Sequence, residues 1–239
     1  MDRQTSQAIA YTHIFFDLDH TLWDFDTNSI DTLRAIYTQF ALPQKGISDF
    51  DDFNKVYHRI NDKLWDRFRK GYLSRQELRW KRMWQTLVHY RIPDEALAKQ
   101  MSEAYLDILP TQTALFPHTH EVLQYLHSKS YSMHLITNGF ELTQKQKLKN
   151  AALDTYFDRV ITSEQAMSMK PHKQIFDYAM QHTGAKAAHS IMIGDAWDVD
   201  IVGAAQAGMH QVYFNPHKSP APGQASFEIH SLQQLKDIL

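Results

Sequence analysis

Ile14-Phe15-Phe16-Asp17-Leu18-Asp19-His20-Thr21-Leu22 is an apolar run that closes on two aspartates. A short, continuously apolar stretch bounded by polar residues reads as a strand covered on both faces. Where such a strand ends, Asp17 and Asp19 would point to one side while extended. A turn beginning there would let one side chain and the other residue's backbone carbonyl converge on one ion. Working outward from this segment, Thr12–Leu18, Ser132–Thr137, Arg159–Thr162, Ser190–Gly194 and Gln211–Phe214 are all short and rich in β-branched or aromatic residues. Helical patterns lie between them at about 118–129, 141–150, 172–183 and 198–207. That alternation predicts a parallel sheet with helices on both faces.

Residues 24–110 break the alternation. They carry successive amphipathic patterns and no convincing strand. Ser74-Arg75-Gln76-Glu77 is a capping box opening one helix, and Gly71 is placed to end the helix before it. Trp80, Met83, Trp84 and Leu87 share one face at i, i+3, i+4, i+7. The expected organisation is therefore an α/β core made of 1–23 and 111–239, interrupted after its first strand by a helical insert at 24–110. Pro216–Gly223 reads as a surface loop before a last short strand and a helix at 231–238.

Composition narrows the chemistry. With 25 basic and 27 acidic residues the chain has a net charge of −2, which argues against stable nucleic-acid binding. No cysteine is present, so disulfides, cysteine-containing zinc sites and thiol nucleophiles are excluded. The 14 histidines are dispersed without metal-ligand spacing, and nearly all read as surface or insert residues. The polar amino-terminal segment carries no visible export signal, and no apolar stretch reaches the ~18 residues a membrane span needs. A cytoplasmic protein without membrane association is expected, its oligomeric state left open.

Ligands of open α/β sheets gather outside the carboxyl ends of the strands. Here those ends carry Asp17 and Asp19, then Thr137-Asn138-Gly139, then Gly194-Asp195 with Asp198 and Asp200 following. Lys170-Pro171, before a helix, supplies a cation. Hard carboxylate oxygens suit Mg2+, which completes its shell with water and substrate phosphate. A carboxylate can attack phosphorus, a second can protonate the leaving oxygen, and a lysine and a hydroxyl can complement the phosphoryl charge. These parts predict a phosphomonoesterase acting on a small phosphorylated metabolite.

In this order and spacing the chain resembles the haloacid dehalogenase superfamily. The motifs are Phe16-Asp17-Leu18-Asp19-His20-Thr21-Leu22, Thr137-Asn138-Gly139, Lys170-Pro171 and Gly194-Asp195-Ala196-Trp197-Asp198-Val199-Asp200-Ile201, and successive key residues lie 120, 33 and 25 positions apart. The resemblance implies an α/β fold, a Rossmann-like parallel sheet with an inserted α-helical cap domain. It implies Asp17 as nucleophile and metal ligand, and Asp19 as general acid/base that gives its backbone carbonyl to Mg2+. Thr137, the Asn138 backbone N–H and Lys170 would bind phosphate, Asp195 would bind the metal, and Asp200 would be the second acid of the last motif. Asp198 stays open between a metal-linked role and a helix N-terminal acid. Thr21-Leu22-Trp23-Asp24-Phe25 and Ile136-Thr137-Asn138-Gly139-Phe140 resemble the pyrimidine 5′-nucleotidase branch, which implies a nucleoside monophosphate substrate.

Each signal has a plainer reading. An isolated Asp pair usually caps a helix or holds a turn, and a lone lysine is usually solvated. Only the ordered set makes them functional. Phe25 and Phe140 are expected to line the substrate site, or else to pack between domains. The aromatics of the insert, Tyr57, Trp65, Phe68, Tyr72, Trp80 and Trp84, are expected to be mostly core. Phosphoglycolate or a sugar phosphate is the alternative substrate. A metal-free dehalogenase is disfavoured by Asp19 and Asp195, and a phospho-receiver domain by an Asp pair on the first strand followed by an insert.

Overall fold

The computed structural model describes residues 11–239. The chain runs β1 (His13–Phe16), α1 (Phe25–Gln39), α2 (Phe50–Arg69), α3 (Arg75–His89), α4 (Glu95–Ile108), α5 (Thr119–Ser128), β2 (Ser132–Thr137), α6 (Glu141–Asn150) and β3 (Arg159–Thr162). It continues through α7 (Ser163–Ala166), α8 (Lys173–Thr183), β4 (Ser190–Gly194), α9 (Val202–Gln206), β5 (His210–Phe214) and β6 (Phe227–Ile229). Two compact units result: the described residues up to Phe25 with Ala114–Leu239, and Asp26–Thr113.

The first unit is an α/β fold on a six-stranded sheet in the order β3-β2-β1-β4-β5-β6, parallel throughout. β1 is central, with Phe16 level with Leu135 of β2 and Ile193 of β4. That register brings Asp17, Thr137 and Asp195 to one edge of the sheet. Ile14, Phe15 and Phe16 are fully buried, as a strand covered on both faces requires. One face packs Phe15, Ile136 and Met192 against Ile175, Phe176 and Ala179 of α8 and Ala204 of α9. Each such side chain contributes about 1.5–3 kcal/mol by leaving water.

Two expectations about this unit change. The helical pattern at 198–207 begins as a π-helical turn, Trp197–Ile201, before α9. The segment at 231–238 forms a 3-10 helix, Leu232–Asp237. Among the histidines, His134 of β2 is buried, and its Nε2 lies 3.1 Å from His13 Nδ1 on β1.

The second unit is built on α1–α4. Asp49, Ser74 and Asp94 accept from free backbone N–H groups at the starts of α2, α3 and α4, and Ser74 and Glu77 form the complete capping box. Inside, Arg82 is buried, donates to Asn61 Oδ1 at 3.2 Å and lies 5.3 Å from the Tyr105 ring, while Ser29 Oγ meets Tyr105 OH at 2.9 Å. The buried face of α3 is therefore Leu78, Arg82, Met83, Thr86 and Leu87. It is rotated from the stripe read in the sequence, because Trp80 and Trp84 are only half-buried. Of the six aromatics expected mostly in the core, Tyr57 is buried, Trp65 and Phe68 are half-buried like the two tryptophans, and Tyr72 is exposed. Among the described residues, no helix is long and apolar enough to cross a membrane.

Candidate active site

At the carboxyl edge of the central strands, three acids converge. Ligand oxygens of Asp17, Asp195 and Asp200 all lie within 4.8 Å of one another. Asp17 directly follows β1, its N–H still donating to Ile193 O at 2.9 Å, so the sheet ladder fixes where its side chain starts. Asp195 follows β4 and accepts from Thr21 Oγ1 at 3.1 Å. Asp200 is turned inward by the π-helical turn, a local widening that re-aims side chains. Its Oδ2 accepts from the Ala196 N–H at 3.1 Å, and it is fully buried, whereas Asp198 is exposed.

Lys170 lies between two of these acids. Its ammonium is 2.6 Å from Asp17 Oδ1 and 2.7 Å from Asp200 Oδ1, with 2% of the residue exposed. The loop that delivers it is held by Asn138, whose side chain donates to Lys170 O at 3.0 Å and accepts from Lys170 N at 2.8 Å. Thr137 Oγ1 accepts from Gly139 N at 3.0 Å and from Gln144 Nε2 at 2.8 Å. With two bonds accepted, its hydroxyl proton is directed elsewhere.

The second aspartate of the first motif is held from a different direction. Asp19 Oδ1 lies 2.5 Å from Lys147 Nζ, and Asp19 Oδ2 accepts from Gln144 Nε2 at 2.9 Å. Neither Gln144 nor Lys147 was picked out from the sequence. Both sit on the polar helix α6, where Lys145 and Lys149 are exposed, and a buried lysine leaves no mark in such a pattern. The available signal was their i, i+3 spacing just after Thr137-Asn138-Gly139. Thr21 also acquires a partner that its place in the motif did not indicate. Phe25 is half-buried beside His20, with ring centroids 4.9 Å apart, and Phe140 is 7% exposed at the start of α6.

Charge at this edge is unbalanced. Burial pushes the Asp17 carboxyl up to about 7, against the pull of Lys170 and with the help of Asp200 and Asp19. Burial, with Asp200 and Asp17 adding repulsion, also raises Asp195 well above the carboxylate range. Burial alone would lower Lys170, but Asp17 and Asp200 raise it instead. Burial opposes ionisation of Asp19 too, yet Lys147 and Gln144 bring it below its ordinary value. One ammonium thus faces three converging acids. A hard dication fits such an oxygen donor set.

A family model described as haloacid dehalogenase-like hydrolase matches residues 14–214. The chain belongs to this family. Among relatives of the haloacid dehalogenase-like hydrolase, pyrimidine 5′-nucleotidase PynA of Streptococcus pneumoniae is 29% identical, over 96% of this chain and 95% of that protein. Pyrimidine 5′-nucleotidase YjjG of Escherichia coli is 28% identical, over 95% and 96%. A crystal structure of the HAD-hydrolase YfnB from Bacillus subtilis, bound to magnesium, superposes with a TM-score of 0.86 at 27% identity, covering 96% of this chain and 99% of that one. A haloacid dehalogenase-like hydrolase with such relatives is consistent with a phosphatase.

Proposed function

We propose that the protein is a Mg2+-dependent phosphomonoesterase that hydrolyses nucleoside 5′-monophosphates, pyrimidine ones foremost, through a phosphoryl group carried on Asp17. The observation that carries the chemistry is the convergence of Asp17, Asp195 and Asp200 around Lys170. The nucleotide class is supported by near full-length similarity to two proteins named as pyrimidine 5′-nucleotidases.

Asp17, Asp195 and the backbone carbonyl of Asp19 would hold Mg2+, with Asp200 behind them; when bound it offsets carboxylate repulsion and polarises a phosphoryl oxygen. Asp17 attacks phosphorus, the bond to the leaving oxygen breaks, and Asp19, which takes up a proton as the negative charge of the bound phosphate raises its affinity for one, supplies that oxygen's proton. In the second half Asp19 takes a proton from water, whose oxygen attacks phosphorus and releases phosphate from Asp17. Lys170 and the Thr137 hydroxyl, whose proton is free to donate, complement the phosphoryl charge, with the Asn138 N–H beside them. Lys170 also fixes the Asp17 carboxylate, and Asn138 fixes Lys170. The partner is a small phosphorylated metabolite, and the site calls for no nucleic acid or membrane.

A phosphate-release screen with and without Mg2+ tests this across pyrimidine and purine nucleoside monophosphates, phosphoglycolate and sugar phosphates. Metal-dependent turnover highest on pyrimidine monophosphates is expected. Higher turnover on phosphoglycolate or a sugar phosphate would move the substrate class.

A further inference from the structure

Two carboxylates of the first motif are held by two separate clamps. Asp17 is tied to Lys170, whereas Asp19 is tied through both of its oxygens to one face of α6. We infer that Lys147 and Gln144 are positioning residues that hold the Asp19 carboxylate in place for proton transfer. This assignment rests on the proposed role of Asp19 as acid and base.

Lys147 is 2% exposed on a helix whose other lysines, Lys145 and Lys149, are solvated. Burying an ammonium is costly unless it is paired with good geometry. Here it is enclosed from two sides, 2.5 Å from Asp19 Oδ1 and 4.1 Å from the centroid of the fully buried Trp23 ring. The Phe25 ring is 5.4 Å away. Such a cation has little room to move, and neither does the carboxylate it holds.

Gln144, one turn earlier and 1% exposed, completes the clamp. Its amide donates to Asp19 Oδ2 and to Thr137 Oγ1, joining the proposed proton-transfer group to the proposed phosphate ligand. It reaches them by crossing directly over Gly139, where a Cβ would lie 2.4 Å from Gln144 Cδ. Turning the Asp19 carboxylate therefore breaks two hydrogen bonds from one rigid helix. A misplacement of about 1 Å at a reacting group can cost about 10²-fold in rate, so this rigidity bears on turnover.

A buried ion pair that served only the fold would look the same in the resting protein, so the test is a double-mutant cycle. Lys147→Met keeps the apolar stem against Trp23 and removes the ammonium. Its effect is measured on kcat and KM with p-nitrophenyl phosphate and Mg2+, in the native background and in Asp19→Asn. This substrate has a good leaving group, yet its hydrolysis still requires the water-activating half. Lys147→Met is expected to lower kcat by about 10- to 100-fold with KM changed less than about 3-fold, and to cost less than about 3-fold once Asp19 is already Asn. Lys147→Gln, which keeps a polar chain without the charge, should follow the same pattern with a smaller loss and decides the matter if Lys147→Met does not fold. Gln144→Leu should instead lower kcat with part of its loss persisting in Asp19→Asn, because the Gln144 amide also serves Thr137. An equal loss in both backgrounds overturns the assignment, because the helix would then act on the fold or the phosphate rather than through Asp19. Failure to hydrolyse any nucleotide would count against the nucleotide reading alone, since the cycle is read on an aryl phosphate.

Discussion

Gly194 carries the carboxylate of Asp200 against its own Cα, so closely that a Cβ at Gly194 would lie 2.4 Å from Asp200 Oδ2. The glycine ending β4 is thus required by close approach, and the π-helical turn after it folds Asp200 back over the strand. Gly194→Ala should displace Asp200 from Lys170, at a cost of about 1–3 kcal/mol for overpacking and with loss of most activity. Urea denaturation alongside phosphate release checks both; an unchanged pair of values would mean that Asp200 can stand elsewhere at no cost.

Replacing Asp19 by Asn removes the group that gives and takes the proton while keeping the side chain's size. A loss of about 10²–10⁴-fold in kcat is expected. A loss below about tenfold on a nucleoside monophosphate, whose alkoxide leaves poorly, would remove Asp19 from proton transfer.

Metal binding should stabilise the fold as well as permit turnover. At 100 times its dissociation constant a ligand adds about 2.7 kcal/mol, which in a chain of this length raises Tm by about 5–10 °C. Differential scanning calorimetry with Mg2+ and with EDTA measures the shift. Asp195→Asn should abolish it, and a shift unaltered in that variant would place the metal elsewhere.

Much of this was legible in sequence because it depends on short-range rules. Strands β2, β3 and β4 begin and end where their apolar runs do, and the capping box at Ser74 needs only local hydrogen bonds. The convergence of Asp17, Thr137 and Asp195 followed from parallel strands ending at one edge. Lys147 and Gln144 were not legible, since a lysine in a polar helix looks solvated unless the fold folds an aspartate and a tryptophan onto it. The α3 face was misjudged for the converse reason: the guanidinium of Arg82 is buried by Asn61 and Tyr105, partners on other helices, leaving Trp80 at the margin.

His134 supplies a pH dependence outside the proposed site. Burial, reinforced by His13, lowers it to about 4, although Asp158 opposes the shift, and burial also lowers His13. An unfolded histidine titrates near 6.5, so between about 6.5 and 4 the unfolded chain takes up a proton that the native one refuses. Stability present above 6.5 should therefore fall as the pH drops through that window. Urea unfolding at intervals between pH 7.5 and 4.5 should give a shallower loss for His134→Leu than for the native protein, and equal slopes would acquit this histidine.

Asp17 is the residue on which the account turns, and trapping its phosphoryl group tests it most directly. The protein is mixed with uridine 5′-monophosphate and Mg2+, quenched in acid during turnover, digested and mapped by mass spectrometry, with Asp17→Asn and EDTA controls. A single phosphoryl group on Asp17 that appears and decays within one turnover, and is absent from both controls, is the predicted result. Rapid release of phosphate with no phosphoryl group on Asp17, or undiminished turnover by Asp17→Asn, would contradict it.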